Sequence, residues 1–506
     1  MAASGADDEG SSATGLLPKQ GGGAKDGVGK GAPPAAAPYS RSVLVSLMLG
    51  TALEWYDFST IAQLDAPLSA NFFPPDARPE VKALAFWMVY AVAFVVRPVG
   101  AVFFGALGDI AGRKVALVIT MLLMGTATCL VGCLPTYEHI GPAAPALLAV
   151  LRVCMGLSLG AEYTTAIVYV QEAAPHEHKP LHASLIAAAC ALGSAVGLAV
   201  VMAVRGGTDE GQLMLWGWRV PFLSAFPIVI VALVLRTRMA ESQEFAAAHR
   251  AGGDKEAAAP AGAKRATAGE LLRRVPVAQL MRQRPLGFLA DCIYVAWLSS
   301  AIYVTYGWLP AALRNRGIMA PIVSLGMCLT SLAAEFVGIV AGGAVAPLVP
   351  CLAVAAASAP LVSLFLLGTV AVLGAGSPAA AGVTWAMQNV SLGLCGFVLG
   401  LHAACFVFIY ALDMRSTGFS LAYNGGTALG GSAPAIVSAI ALALEQRAPL
   451  ASRLAPAIWL CCLSVPAAGA ALALLRLAPR VNRCGQSAEP PQPQPQPQRQ
   501  ARRPPS

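Results

Sequence analysis

The chain has 506 residues, of which 57% are hydrophobic and only 12% charged, with a mean hydropathy of +0.64 and a formal net charge of +8. Soluble domains carry about 25% charged residues, so this composition excludes an ordinary water-soluble protein and indicates a polytopic membrane protein. The positive balance records membrane topology, as the placement of Lys and Arg shows below, and not nucleic-acid binding.

Residues 1–40 are Gly, Ala, Ser and Pro with scattered charge. They hold too few large apolar side chains to fold and no short apolar region followed by a cleavage site, so they read as a disordered cytoplasmic tail. Apolar runs then begin near Ser42, Ala83, Val115, Ala143, Leu181 and Gly217, and again near Leu286, Pro321, Pro347, Ala379, Gly418 and Leu454. At about 20 residues per crossing, these predict an all-α membrane protein of twelve transmembrane helices. The expected divisions are a six-helix bundle over 41–236, a cytoplasmic loop over 237–284, a second six-helix bundle over 285–478 and a Pro/Gln-rich solvated tail over 479–506.

Orientation follows from the basic residues. With both termini inside, 24 of the 34 Lys and Arg fall on cytoplasmic segments and seven outside, which predicts cytoplasmic ends. The first helix carries Glu54 and Asp57 on either side of Tyr56; at i and i+3 the two carboxylates share one helical face. An acid near the centre of a bilayer costs roughly 2.5 kcal/mol or more, so such groups are usually functional. The second helix ends in Arg97-Pro98 and runs into the glycine-rich turn Gly105-Ala-Leu-Gly-Asp109-Ile-Ala-Gly112-Arg113-Lys114. Glycines there allow close helix approach and a tight reversal, so this turn either locks one conformation or serves only as a positive loop that sets topology. Arg152 and Glu162 lie in the fourth run, Arg152 near mid-membrane. Three acids and two arginines at these depths are expected to form one network facing a cavity.

The second half opens with Asp291 early in its first helix, followed by Tyr303 and Tyr306, which either line a pore or pack as aromatics. Glu335 is the sole acidic or basic residue between Arg316 and Asp413, and faces a cavity or lies at a surface. His402 reads as a satisfied polar residue. A further turn carries Asp413, Arg415, Thr417 and Gly418 into a small-residue helix. Eleven of the twelve cysteines lie in apolar helices at no recognisable spacing, so neither disulfides nor a metal site is expected. No positioned nucleophile or phosphate-binding loop appears, so the chain reads as neither an enzyme nor a cofactor binder.

Glu54-Trp-Tyr-Asp57-Phe, Arg97-Pro-x-Gly100-Ala, the Asp109 to Lys114 turn, Gly-Trp218-Arg219-x-Pro221-Phe222-Leu and Arg415-Ser-Thr-Gly418 with Tyr423-Asn424 together resemble the metabolite:proton symporters of the major facilitator superfamily. The resemblance is close over about 42–245 and looser over 285–445. It implies two six-helix bundles of inverted three-helix repeats that expose a central site to alternate sides by rocking, the superfamily being a standard example of that architecture. It further implies symport of a small carboxylate or zwitterion with a proton, by a monomer in the plasma membrane. Substrate and proton would be handled by Glu54, Tyr56, Asp57, Arg97, Arg152, Glu162, Tyr303, Tyr306 and Glu335. A conformational latch would use Gly105, Asp109, Gly112, Arg113 and Lys114 with Arg415, Thr417 and Gly418.

The chain departs from the family pattern in places. Ile110 follows Asp109 where the superfamily has Arg, Cys154 stands for Gln, and Gly160-Ala161-Glu162 replaces Gly-Gly-Glu. In the second half, the offset that sets Gly342 on Gly105 sets Ala346 on Asp109 and Pro350 on Arg113, so one charged latch is missing. Two other readings therefore stay open: an uncoupled facilitator or exchanger of similar solutes, and a transport-dead sensor or scaffold.

Overall fold

The computed structural model describes residues 41–477 apart from Gly112, 238–275, Arg316, 375–377, 411–414 and 446. The tails and most of the central loop fall outside the described residues, as do the side chains of Asp109, Arg113 and Lys114.

Every described element is helical, and the long ones answer to the twelve apolar runs in order. They are α1 (Arg41–Gln63), α2 (Pro79–Val95, resumed as Arg97–Ala111), α3 (Arg113–Cys133), α4 (Ala143–Ala173), α5 (Lys179–Gly207) and α6 (Arg219–Leu223, resumed as Ala225–Thr237). The second six are α7 (Pro285–Tyr303, continued to Leu309–Asn315), α8 (Pro321–Val345), α9 (Cys351–Gly374), α10 (Pro378–Cys405), α11 (Arg415–Gly431, resumed as Ala433–Leu444) and α12 (Pro449–Leu477). Among the described residues nine helices, or ten with one bent pair, are long and apolar enough to cross a membrane. α1, which carries Glu54 and Asp57, is not among those nine. In α3 only Val118–Cys133 qualifies as apolar, and it is shorter than a full span.

The interruptions have local causes. Pro98 lacks the N–H that would bond back to Phe94 and its ring crowds that carbonyl, so α2 breaks at Val96 and resumes at Arg97. Pro434 has the same effect in α11, which breaks at Ser432. Ahead of Pro310, α7 widens into a π-helical turn at Val304–Trp308, a distortion frequent at functional sites.

Both halves use the same pairings: first helix with fifth, second with fourth, third with sixth. The second-with-fourth contacts are backbone-close. A Cβ on Gly160 of α4 would lie 2.2 Å from the Arg97 carbonyl oxygen of α2, and one on Gly342 of α8 would lie 2.1 Å from the Phe397 carbonyl oxygen of α10. Small residues of this kind are what allow helices to pack tightly in lipid. Across the halves, α5 packs on α8, while α2 and α4 pack on α11. Large apolar side chains such as Phe103, Leu348 and Val465 stay exposed, as expected of surfaces that face acyl chains and not water.

Candidate substrate and ion site

The acids of α1 and the arginines of α2 and α4 meet in the first half. Glu54, Asp57, Arg97 and Arg152 are all buried, at 2% exposure or less. Arg97 Nη2 donates to Glu54 Oε1 at 2.8 Å, and Arg152 Nη2 donates to Asp57 Oδ2 at 2.8 Å. At 100° per residue, positions i and i+3 lie about 60° apart around a helix, so each carboxylate points at a different neighbour. Within the expected network the described residues form two ion pairs, Arg97 with Glu54 and Arg152 with Asp57. Glu162 is also buried, ten residues from Arg152 on the same helix, about 15 Å along the axis.

Neither arginine is fully used by its acid. Arg152 Nε and Nη1, Arg97 Nε and Asp57 Oδ1 are buried without a hydrogen-bond partner among the described residues. Buried polar atoms are nearly always paired, so these are hydrogen-bonding groups that the described residues leave unused. The Arg97 guanidinium also lies 5.1 Å from the centroids of both the Phe58 and Phe94 rings, a cation–π arrangement that holds it in place.

A small cavity lies one ring away. Trp55, Ser299, Ile302, Tyr303, Leu399 and Tyr423 line it, with contributions from both halves. Tyr303 stacks on Trp55 with centroids 5.8 Å apart and planes 1° from parallel, and it abuts Phe94 at 4.7 Å. Tyr303 is thus a cavity residue as well as a packed aromatic. Two other tyrosines are spoken for elsewhere. The Tyr306 hydroxyl bonds Ser59 across the halves, and the Tyr56 hydroxyl donates to the Pro221 carbonyl of α6 at 2.6 Å, so Tyr56 faces away from the arginines. Glu335 is buried on α8, its backbone against Gly396 of α10, with no hydrogen bond or ion pair to a described residue.

The halves touch on both sides of this cavity. Toward the end where α1 finishes, Arg314 Nη2 donates to Asp65 Oδ1 at 2.6 Å, Arg314 Nη1 reaches Gln63 Oε1 and Ser324 Oγ, and Asn315 joins Asp65 Oδ2 at 3.2 Å. Both ion-pair side chains are buried. Toward the end where α1 begins, Asn424 Nδ2 donates to the Gly160 carbonyl at 2.7 Å, and Gln171 Nε2 donates to the carbonyls of Ala403 and Ala404. The Asp65–Arg314 lock escaped sequence reading because both charges sit at helix ends, where a loop position explains them. The second-half turn is uncharged, as expected; Ala346 continues α8 by bonding back to Gly342, and Cys351 opens α9. Of the proposed first-half latch, Gly112 and the side chains of Asp109, Arg113 and Lys114 lie outside the description, while Gly418 is pressed against the Tyr410 ring.

Comparison with known proteins now bears on this geometry. Residues 43–275 match the family model described as sugar (and other) transporter. The chain is 37% identical over 205 residues to a glycine betaine/proline/ectoine/pipecolic acid transporter of Dickeya dadantii, covering 40% of this chain and 41% of that one. It is 36% identical over the same span to a proline/betaine transporter of Escherichia coli. The chain therefore spans about two fifths of the length of the curated relatives it matches. In fold, it resembles a proton:xylose symporter of the major facilitator superfamily with a TM-score of 0.65 at 16% identity, over 86% of this chain and 95% of that one. A human organic anion transporter matches with a TM-score of 0.55 at 15% identity, over 86% of this chain and all of that one. This chain is an integral, multi-pass membrane protein of the major facilitator fold, and its residues 43–275 fit the sugar (and other) transporter family.

Proposed function

We propose that the chain is a secondary transporter that carries a small zwitterion or carboxylate together with a proton, by alternating access. One observation carries this reading: two buried arginines with unused N–H groups stand beside two carboxylates, one ring from an aromatic-lined cavity shared by both halves. A substrate carboxylate fits the free part of the arginine forks, which favour planar, two-pronged anions. A cationic or apolar substrate end fits the Trp55, Tyr303 and Tyr423 faces, as aromatic rings hold quaternary ammonium groups. The relatives named for proline and betaine, which combine these two features, support the same class. Protonation of Glu54 or Asp57 would loosen its arginine and free that arginine for the anion, which ties proton to substrate.

From the Lys and Arg bias we read both termini and the central loop as cytoplasmic, and the carrier as a monomer of the plasma membrane. Proteoliposome uptake of proline, glycine betaine and a panel of dicarboxylates, with and without an inward proton gradient, tests the reading. Accumulation driven by the gradient is expected. Uptake indifferent to the gradient would instead identify a facilitator or exchanger, and no uptake of any solute a sensor or scaffold.

A further inference from the structure

The second half contains a buried titratable cluster that the reading above leaves unused. Asp291 on α7 and His402 on α10 are completely buried, with His402 Nε2 3.0 Å from Asp291 Oδ1. The Tyr410 hydroxyl donates to the other carboxylate oxygen at 2.8 Å. We propose that Asp291 and His402 together form a second proton-binding site, separate from the ion pairs on α1. The proposal rests on the proposed function only for the side to which the site opens.

Charge makes the argument. No Lys or Arg among the described residues lies within ion-pair distance of Asp291, so an ionised carboxylate beside a neutral imidazole would leave one uncompensated negative charge in a membrane interior. One proton removes it. That proton sits either on the ring, as Nε2–H facing the carboxylate, or on the carboxyl, as O–H donating to Nε2; both forms keep the bonds observed. The pair is therefore a place where one proton binds as the pH falls and leaves as it rises. A merely satisfied core histidine would have both ring nitrogens bonded, but His402 Nδ1 is buried with no partner among the described residues.

The surroundings fit a proton site. From α11, Tyr423 brings its ring to 6.1 Å from His402, and Tyr423 also lines the central cavity. At the other end, Tyr410 lies against Gly418, at the cytoplasmic start of α11. Protonatable groups thus run from the inner face to the cavity wall. From α7, Tyr294 stacks on the imidazole at 6.4 Å but turns its hydroxyl to the Ala355 carbonyl, while Cys292 faces Gly425 of α11. Arg415, which opens α11, holds its guanidinium 5.3 Å over the Phe408 ring. α8 and α5 meet at that level through Gly343 and Ser184, and α9 brings Cys351 against Cys405.

The test counts protons on purified protein without substrate, titrated with a pH indicator from about pH 9 to about pH 5. Wild type is expected to take up one proton more than Asp291→Asn, a variant that preserves size and hydrogen bonding to Tyr410. Equal counts overturn the site, because a carboxylate that only braces the fold stays ionised across this range. His402→Gln repeats the comparison should Asp291→Asn not fold. If neither folds, wild type labelled with 15N-histidine decides: a water-shielded imidazole whose nitrogen shifts move over this range supports the site, and an invariant one refutes it. Gradient-driven uptake is a separate measurement, so this proposal and the proposed coupling can fail independently.

Discussion

Arg152 commits one nitrogen to Asp57 and leaves Nε and Nη1 buried without partners among the described residues. Lysine keeps the charge but lacks the fork, so Arg152→Lys should retain the ion pair and lose the substrate contact. A hydrogen bond to a charged group is worth about 1.5–3 kcal/mol, which predicts a rise in uptake KM of roughly 10- to 100-fold with little change in protein yield. Arg152→Ala is less informative, since it strands a buried carboxylate at a cost of roughly 3–5 kcal/mol and should lower yield instead. Uptake kinetics set against yield in the two variants separate binding from stability. Glu54, Asp57, Arg97 and Arg152 were legible in sequence because a charge inside an apolar run needs a reason. Their pairing was not, because it depends on the angle at which α2 and α4 cross α1. Asp291 and His402 were visible singly, and nothing in the order of residues says that positions 111 apart share a bond.

At the scale of elements, the break at Val96 turns the chain so that Arg97 starts a new helical segment beneath Glu54. That placement relies on α4 lying against the same backbone through Gly160, where an added Cβ would sit 2.4 Å from the Ala101 nitrogen. Gly160→Ala is therefore expected to cost about 1–3 kcal/mol through overpacking and to lower the unfolding temperature, measured by a thermal melt in detergent. A melt unchanged from wild type would mean that α2 and α4 can separate freely. Twelve apolar runs gave the helices, and Pro98 and Pro434 mark two of the breaks. The π-helical turn at Val304–Trp308 precedes Pro310 in the same way, but a proline alone does not tell a widened turn from a break.

For the molecule as a whole, the two halves are in contact on both sides of the cavity, and the two closures differ in kind. The one at the end of α1, outer if the termini are cytoplasmic as proposed, is ionic and buried at Asp65 and Arg314, whereas the described contacts at the other end are amide and hydroxyl bonds from α4 to α10 and α11. Arg314→Ala should favour outward opening and raise labelling of Ser299→Cys by a membrane-impermeant thiol reagent above the native cysteine background. Converting the pair to Asp65→Asn with Arg314→Gln should return labelling part-way to wild type. On the inner side, Asp109→Asn tests the expected first-half latch. The resemblance implies that Asp109 sits against the N-terminus of α11, where an acid is worth about 0.3–2 kcal/mol, so its loss should shift the balance some 2- to 30-fold toward inward-facing states, seen as more labelling from the cytoplasmic side. Unchanged labelling with normal uptake would leave that turn with a topological role alone.

The two ion pairs on α1 also decide what an electrode would record. Glu54 with Arg97 and Asp57 with Arg152 sum to zero, so under the proposed alternating access the empty first-half site would reorient without moving charge. A bound zwitterion adds nothing, but each proton carried with it adds one positive charge to the inward stroke. Membrane voltage would then act on that proton, at about 2.3 kcal/mol per charge for each 100 mV. On the proposed coupling, proline or glycine betaine added to proteoliposomes on a capacitive sensor should give an inward current that grows with internal negative potential.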